Sequence, residues 1–305
     1  MKLIGHQDSL KLIRMFLDKN YSSYSFLFEG KDCIGKKLVA ILTGKAFLCE
    51  KNYSFGCNGC ESCKLANNTL LNIYEEKEVN THPEMVIISP EKEIKIDQIR
   101  QVKQFLKLKR KKVVIIEKAE KMNIEASNAL LKTLEEPPEN SLIILTTSNQ
   151  EKLLPTILSR CKKIRFKPLN RKEIEEILLL KNVDEKRIQI LTALSDGSMC
   201  IPEAVLKDEK LLKYAKDFYN LLYINELHPE GVITFGEIFE KLSSEDVEKI
   251  ITIVEKILCK KMLKGEVSPD FYDRFIKEKE EFQTAIYRGV KKKLALEGMY
   301  FNLKS

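Results

Sequence analysis

The sequence predicts an α/β core with a mainly parallel sheet, followed by an all-helical remainder. Apolar strands alternate with helical stretches as far as Phe166, which is the pattern of a parallel sheet covered on both faces. After Pro168 the strand pattern stops, and apolar residues recur at helical spacing. A chain of 305 residues has room for two or three domains, and we expect three, at residues 1–167, 168–206 and 207–305.

The composition is that of a globular protein, with 44% hydrophobic and 32% charged residues. It contains no apolar run long enough to span a bilayer, and its N-terminus lacks the apolar segment of a signal peptide. We therefore expect a cytoplasmic protein that does not act at a membrane. The net charge of +7 permits a polyanionic partner without requiring one. Eight cysteines in a cytoplasmic chain do not indicate a disulfide framework, so their spacing decides their role.

The first elements are a helix, a strand and a second helix. Residues 1–20 carry apolar side chains at helical spacing. Tyr24–Phe28 is a short apolar strand and Leu38–Leu48 a helix, and the loop between them, Gly30–Lys37, has the sequence GKDCIGKK. A strand, a glycine loop and a helix in this order form the setting in which a loop binds phosphate.

That loop keeps only part of the phosphate-binding motif. Gly30, Gly35 and Lys36 fit G-x-x-x-x-G-K, but Lys37 stands where the motif has a Ser or Thr hydroxyl that ligates Mg²⁺. An ammonium cannot ligate a cation, and Asp32 adds a negative charge to a loop that should hold phosphate. We expect a degenerate loop that does not bind ATP.

Four cysteines follow the second helix and predict a structural zinc site in a module at residues 49–65. Their spacing is C-x7-C-x2-C-x2-C, at Cys49, Cys57, Cys60 and Cys63. Two-residue gaps let neighbouring thiolates reach one tetrahedral ion, and Gly56 and Gly59 are expected to make the turns between them. Reduced cysteines or a redox pair are the alternatives, although a redox pair usually lies at a helix start in a thioredoxin-like unit.

The remainder of the core alternates strands and helices after an irregular polar insert. The elements expected are the insert 66–80, strand Met85–Ile88, helix Ile96–Leu106, strand Val113–Ile116, a helix capped by Asn123 and stopped by Pro137 and Pro138, strand Leu142–Leu145, a short helix ending in Ser159-Arg-Cys161, and strand Ile164–Phe166. Glu117 could approach Mg²⁺, but Lys118 stands where a catalytic carboxylate would polarise water. This is a second defect of the nucleotide site.

Beyond the core, apolar periodicity predicts helices throughout. The small second domain would contain Arg171–Leu180, Asp184–Leu194 and Pro202–Leu206. In the third domain, apolar stripes run through Val247–Leu258 and through Phe282–Leu294, and each indicates one amphipathic helix.

These motifs resemble those of the clamp-loader family of bacterial DNA polymerase III, which belongs to the AAA+ class. The resemblance is carried by NALLKTLEEPP followed by LPTILSRC, by the four-cysteine insert followed by Thr81-His-Pro83, and by the segment from Ile94 to Arg100. It implies an AAA+ P-loop core with a zinc-binding insert, a helical lid domain and a helical collar domain. The last third of the chain agrees with the family only in its length and its helical character.

The resemblance implies a place in a hetero-pentameric ring that opens a sliding clamp and closes it around primed DNA. Its partners would be the ATPase subunits and the delta subunit, and the chain would be a component of the DNA polymerase holoenzyme. Members with a disabled nucleotide site brace this ring, so we expect no ATPase activity from this chain alone. Cys49, Cys57, Cys60 and Cys63 match the zinc ligands of the family, and Thr146 or Thr147 matches its sensor position.

Arg160 matches the family's arginine finger, which reaches the ATP held by a neighbouring subunit. Without the resemblance, Arg160 would be interpreted as a surface residue at a helix end. The segment Lys103–Lys112 contains six basic residues, and they could face DNA, although a solvated helix end is the favoured interpretation. Two other functions stay open: an active AAA+ clamp-loader ATPase, and a zinc-bearing interaction protein of DNA metabolism.

Overall fold

The computed structural model describes residues 3–19, 21–51, 55–74, 80, 82–90, 92–224 and 229–304. The chain divides into two compact units, Met1–Lys181 and Asn182–Ser305. The predicted boundaries of three domains, at residues 167 and 206, differ from the boundary between these two units and remain a prediction. Within the described residues, no helix is both long enough and apolar enough to cross a membrane.

The N-terminal unit is built on one five-stranded sheet in which every pair of neighbours is parallel, with the order β2-β3-β4-β1-β5. The strands are β1 Ser23–Glu29, β2 Met85–Ile88, β3 Lys112–Ile116, β4 Ser141–Thr147 and β5 Lys162–Arg165. Every position of β3 and β4 is buried, as their nearly continuous apolar runs require when both sheet faces are covered. This sheet confirms the predicted α/β core with a mainly parallel sheet.

Seven helices accompany this sheet among the described residues. They are α1 Gln7–Leu17, α2 Lys36–Leu48, α3 Glu61–Tyr74, α4 Ile96–Leu106, α5 Ile124–Glu135, α6 Pro155–Arg160 and α7 Arg171–Leu180. The predicted cap of α5 is confirmed, because the Asn123 side chain accepts the N–H of Ala126 at 2.8 Å. The same helix ends at Glu135, two residues before the proline pair, as the loss of amide donors requires.

Helix α3 shows that the prediction of an irregular stretch after the cysteines was wrong. Residues 61–74 are helical, and Cys63, Ala66 and Leu70 are buried on one face of the helix. These three residues have helical spacing, but the polar residues among them obscured the period. The end of the predicted insert, residues 75–79, lies outside the described residues, as does Thr81.

The C-terminal unit is helical, as predicted. Its helices are α8 Glu185–Leu194, α9 Cys200–Lys207, α10 Lys210–Tyr219, α11 Pro229–Lys241, α12 Ser244–Leu263, α13 Pro269–Tyr287 and α14 Lys292–Lys304, with a π-helical turn at Asn220–Ile224. The stripe of α12 is buried, which confirms that prediction. The prediction of one helix through Phe282–Leu294 was wrong. Gly289, at φ +86°, ends α13, and the N–H of Val290 donates to the Ala285 carbonyl at 3.0 Å.

Candidate functional site

The carboxyl edge of the sheet brings together the two halves of the predicted nucleotide site. β1 ends before Gly30, β3 ends before Glu117, and β4 ends at Thr147. These strands are parallel, and β4 lies between the other two, so their ends meet at one edge. The N–H of Gly30 donates to the Thr147 carbonyl at 3.1 Å. Open parallel sheets bind their ligands at this edge.

The backbone of the loop depends on its glycines. Gly35 has φ +97° where the loop enters α2, a conformation that side chains with a Cβ rarely adopt. A Cβ at Gly30 would lie 2.5 Å from the carbonyl oxygen of Phe166. The shape of a phosphate-binding loop is therefore retained at both positions.

The interior of the loop is occupied by its own lysine. Lys36 Nζ donates to the carbonyl oxygens of Gly30 and Lys31, each at 2.5 Å, and lies 3.9 Å from Oδ1 of Asp32. Burial lowers the pKa of Lys36, while the nearby Asp32 carboxylate acts in the opposite direction. The ammonium that would hold a phosphate is thus bound by the backbone of the loop itself.

A second lysine is paired with the acid that could have approached Mg²⁺. Lys37 Nζ lies 3.0 Å from Oε1 of Glu117, and it donates to Oγ of Ser89 at 3.4 Å. Ser89 Oγ in turn donates to the other oxygen of Glu117 at 2.9 Å. Both side chains of the ion pair are largely buried. A metal ion would have to displace the Lys37 ammonium from this carboxylate.

The residues beside this ion pair are also engaged. Lys118 takes a left-handed conformation at φ +47°, and its N–H donates to Oγ1 of Thr146 at 3.2 Å. Burial would raise the pKa of Glu120, but hydrogen bonds from its own backbone, Ser148 and Thr147 outweigh burial and lower it. Glu120 is therefore an ionised acid fixed to the end of β4.

Arg160 lies at the end of α6, where it is held by an acid that the sequence interpretation did not identify. Its Nε donates to Oε1 of Glu135 at 2.9 Å, and Nη2 donates to the same oxygen. Nη1 donates to the Thr156 carbonyl at 3.0 Å. Glu135 is the last residue of α5, so the proline pair that ends α5 also places this carboxylate. The Arg160 side chain remains 29% exposed, and its guanidinium is already arranged around an anion.

The four predicted cysteines converge into one cluster that could hold a metal ion. Their Sγ atoms all lie within 4.8 Å of one another. The N–H groups of Cys57, Cys60 and Cys63 donate to the sulfurs of Cys49, Cys57 and Cys60, at 3.4, 3.3 and 3.4 Å. Backbone donors of this kind stabilise thiolates, the form that ligates metals.

The cluster needs a cation to hold four thiolates. The backbone N–H groups of Cys60 and Gly59 lower the pKa of Cys57 to about 6, whereas burial raises the pKa of Cys63 to about 12. One thiol is thus readily ionised, while another resists ionisation until a positive charge arrives. The donor set fits a divalent metal with sulfur ligands, such as zinc.

Only one of the two predicted turn glycines is required in this module. Gly56 has φ +91°, and a Cβ there would lie 2.7 Å from Cε of Lys45 and 2.9 Å from Sγ of Cys63. Gly59 lacks a positive φ, and a Cβ there would lie 3.8 Å from the Cys57 carbonyl oxygen. The left-handed position between Cys57 and Cys60 is taken by Asn58, at φ +57°, and not by Gly59.

A buried histidine ties the module to the start of β2. His82 Nε2 lies 2.9 Å from Oγ of Ser62, and its Nδ1 accepts the N–H of Glu84 at 3.2 Å. Ser62 also donates to the Leu48 carbonyl at 3.1 Å, at the end of α2. Burial lowers the pKa of His82, which favours the neutral ring that these contacts use.

Three of the six basic residues in the segment Lys103–Lys112 contact other residues of the protein. Lys112 is buried with Nζ 5.1 Å from the ring centroid of Phe105, and Lys111 Nζ donates to the Phe47 carbonyl at 2.9 Å. Arg110 Nη1 lies 3.7 Å from Oε1 of Glu84. These contacts favour the structural interpretation of the segment over a DNA-binding one.

The parallel sheet with its phosphate-type loop and four-cysteine cluster defines an AAA+ P-loop protein with a candidate metal-binding insert. A family profile described as "DNA polymerase III, delta subunit" matches residues 5–170, which is more than half of the chain. The chain belongs to this DNA polymerase III delta-subunit family. This membership confirms the clamp-loader resemblance, and the curated relatives include subunits named delta-prime, tau and gamma.

DNA polymerase III subunit delta-prime of Bacillus subtilis is 31% identical over 226 residues, which cover 72% of this chain and 65% of the relative. The delta-prime subunit of Pseudomonas aeruginosa is 35% identical over 147 residues, which cover 46% of this chain and 42% of the relative. The chain thus spans less than two thirds of either relative. A gamma-subunit-related protein of Thermotoga maritima aligns over 97% of this chain and 99% of its own, at 22% identity and a TM-score of 0.47.

Proposed function

We propose that this chain is a non-catalytic, delta-prime-like subunit of the DNA polymerase III clamp loader, which braces the ring while sliding clamps are loaded. Family membership and the names of the curated relatives support the complex. The observation that carries the non-catalytic role is the ion pair of Lys37 with Glu117, at 3.0 Å. It removes a metal ligand and neutralises the remaining acid, so a Mg²⁺–nucleotide complex has no place to form.

The working residue of this proposal is Arg160, which acts in trans as an arginine finger. The side chain is partly exposed at the end of α6, and its guanidinium binds one carboxylate oxygen through two nitrogens. The same geometry suits the charge that develops on a transferred phosphoryl group. Glu135 would hold the finger in position until the ATP of a neighbouring subunit replaces it as the anionic partner.

The cysteine cluster would hold a structural zinc ion. Cys49, Cys57, Cys60 and Cys63 supply four sulfur donors and leave no ligand position for substrate. The ion would stabilise the loop between α2 and α3. Among the described residues of that loop, the buried ones are Cys49 and Cys60, so the loop has little core of its own.

The proposed architecture has a core at 1–167, a lid at 168–206 and a collar at 207–305. The collar would pack against the ATPase and delta subunits. Large apolar side chains remain exposed on α13 and α14 and in the turn between them, and they support such contacts: Tyr287, Val290, Leu294 and Phe301. Primed DNA and the sliding clamp would be reached through the assembled ring.

Purification with the other loader subunits tests this proposal against its two alternatives. We expect the chain to co-purify with the ATPase and delta subunits and to show no ATP turnover when isolated. Turnover that Lys36→Ala abolishes would instead identify an active motor subunit. Failure to associate with any loader subunit would favour a zinc-bearing interaction protein of DNA metabolism.

A further inference from the structure

Helix α2 carries a buried lysine one turn before the first cysteine of the cluster. Lys45 is 4% exposed, and its Nζ donates to Oδ1 of Asn67 at 2.7 Å and to Oδ1 of Asn58. Both hydrogen-bond acceptors are side-chain amides, which carry no negative charge to balance the ammonium. Burying a cation without an anion is costly, so the environment of Lys45 calls for a negative charge nearby.

The cysteine cluster would supply that negative charge. Four thiolates around a divalent ion leave a net charge of about −2. Gly56 is next to both the cluster and Lys45, because a Cβ there would lie 2.7 Å from Cε of Lys45 and 2.9 Å from Sγ of Cys63. The end of the lysine stem and the sulfur of Cys63 therefore border the same narrow gap.

The ammonium and its two amide anchors come from three different segments of the chain. Lys45 belongs to α2, Asn58 to the loop between Cys57 and Cys60, and Asn67 to α3. The two amide oxygens fix the ammonium beside the cluster. A charge held in this way acts at a defined distance from the sulfurs, which a mobile surface lysine would not do.

We propose that Lys45 is a positioning residue of the metal centre: its ammonium offsets the negative charge of the loaded cluster and slows the loss of the ion. This inference rests on the proposed metal site. It adds a function for a lysine that lies outside both the ligand set and the phosphate-type loop.

The rate of metal transfer from the zinc-loaded full chain to a chromophoric chelator tests the inference. Lys45→Met keeps an unbranched stem but removes the charge, and we expect zinc release about tenfold faster, the lower end of what outer partners of metal ligands contribute. Lys64→Met is the matched control, because Lys64 is exposed and adjacent to Cys63 in sequence, and its release should match the unaltered chain.

The cobalt-loaded chain provides a spectroscopic measurement that would not change if Lys45 only contributed to packing. A cation beside a thiolate lowers the energy of the sulfur electrons, so its removal in Lys45→Met should shift the thiolate-to-cobalt charge-transfer band to longer wavelength. Lys64→Met should leave the band in place. If the unaltered chain binds neither zinc nor cobalt, the proposed metal site itself is wrong. If the unaltered chain holds metal and Lys45→Met changes neither the release rate nor the band, the metal site stands and the inference is overturned.

A second pair of variants covers the case in which Lys45→Met does not fold. Asn67→Asp places a carboxylate on the ammonium and draws its charge away from the cluster, so zinc should leave faster. Asn68→Asp adds the same charge one residue along α3, at an exposed position, and should release zinc like the unaltered chain. Equal rates for the two aspartate variants would contradict the inference.

Discussion

Helix α2 begins at Lys36 in the phosphate-type loop and ends one residue before Cys49, so one element connects two candidate sites of different chemistry. At its N-terminal end, the Lys36 ammonium donates to loop carbonyls, and Lys37 pairs with the acid that could have approached a metal ion. At its C-terminal end, four sulfurs form a complete ligand set within 4.8 Å. The phosphate-type loop thus departs from a working nucleotide site, whereas the cysteine cluster offers a full set of candidate metal ligands.

This difference supports the proposed structural role, in which Arg160 is the group that acts on a neighbouring subunit. In that proposal the metal module would stabilise the scaffold, and the phosphate-type loop would not support ATP turnover. Arg160 belongs to neither end of α2, and its side chain is partly exposed. A chain that does not turn over ATP itself would still be able to act on the ATP of another subunit through Arg160.

The largest effect is expected from removing a ligand at the intact end. Cys49→Ser should lower the bound zinc from about one ion per chain to almost none, because the remaining thiols cannot complete a tetrahedron. We expect the free energy of unfolding to fall by at least ~3 kcal/mol, a fraction of the ~10–16 kcal/mol that structural zinc contributes in isolated zinc-finger peptides. Metal analysis measures the bound zinc, and urea unfolding measures the free energy of unfolding. Full zinc occupancy in Cys49→Ser would contradict the assignment of Cys49 as a metal ligand.

A smaller effect is expected from the backbone of the same module. Gly56→Ala forces a Cβ against Lys45 and Cys63 at φ +91°, and it should destabilise the chain by about 1–3 kcal/mol. Gly59→Ala is the matched control, since its φ is not positive and its surroundings are open, and we expect a change within about 0.5 kcal/mol. Thermal unfolding of the zinc-loaded chains compares them, and equal losses would show that the contacts around Gly56 do not matter.

The smallest effect is expected from repairing the closed end. Lys37→Thr restores a hydroxyl ligand and frees Glu117, so the variant should acquire Mg²⁺-dependent nucleotide binding that the unaltered chain lacks. We expect ADP to bind this variant about tenfold more tightly with Mg²⁺ than without it, or ~1.4 kcal/mol. Lys37→Met removes the ammonium without adding a ligand, and its nucleotide binding should stay independent of Mg²⁺. Calorimetric titration with ADP, with and without Mg²⁺, distinguishes the two variants. Identical titrations for the unaltered chain and Lys37→Thr would show that Lys37 does not close the site.

Most of the fold follows from local sequence signals, whereas the partners of the functional side chains do not. Apolar runs and the Asn123 cap predicted the strands and α5 because these signals act within a few residues. Helix α3 was missed because its buried face is interrupted by polar residues.

The candidate sites divide in the same way. Cysteine spacing predicted the cluster because its four ligands lie close together in sequence. The pairing of Lys37 with Glu117, and of Arg160 with Glu135, joins residues that are 80 and 25 positions apart. No local pattern encodes such a contact, since it depends on the order of strands in the sheet and on the packing of α5 against α6. Lys45 had the character of an ordinary helix lysine until its burial placed it beside the cysteines.

The most direct test is the DNA-stimulated ATPase of a loader reconstituted with either Arg160→Ala or Lys36→Ala in this chain. An arginine finger contributes about 10³–10⁵ in turnover at the site it serves, so Arg160→Ala should abolish the contribution of the neighbouring ATP site. Lys36→Ala should leave the loader's turnover unchanged, because in the proposed function this chain does not turn over ATP itself. Unchanged turnover with Arg160→Ala, together with a loss on Lys36→Ala, would contradict the account.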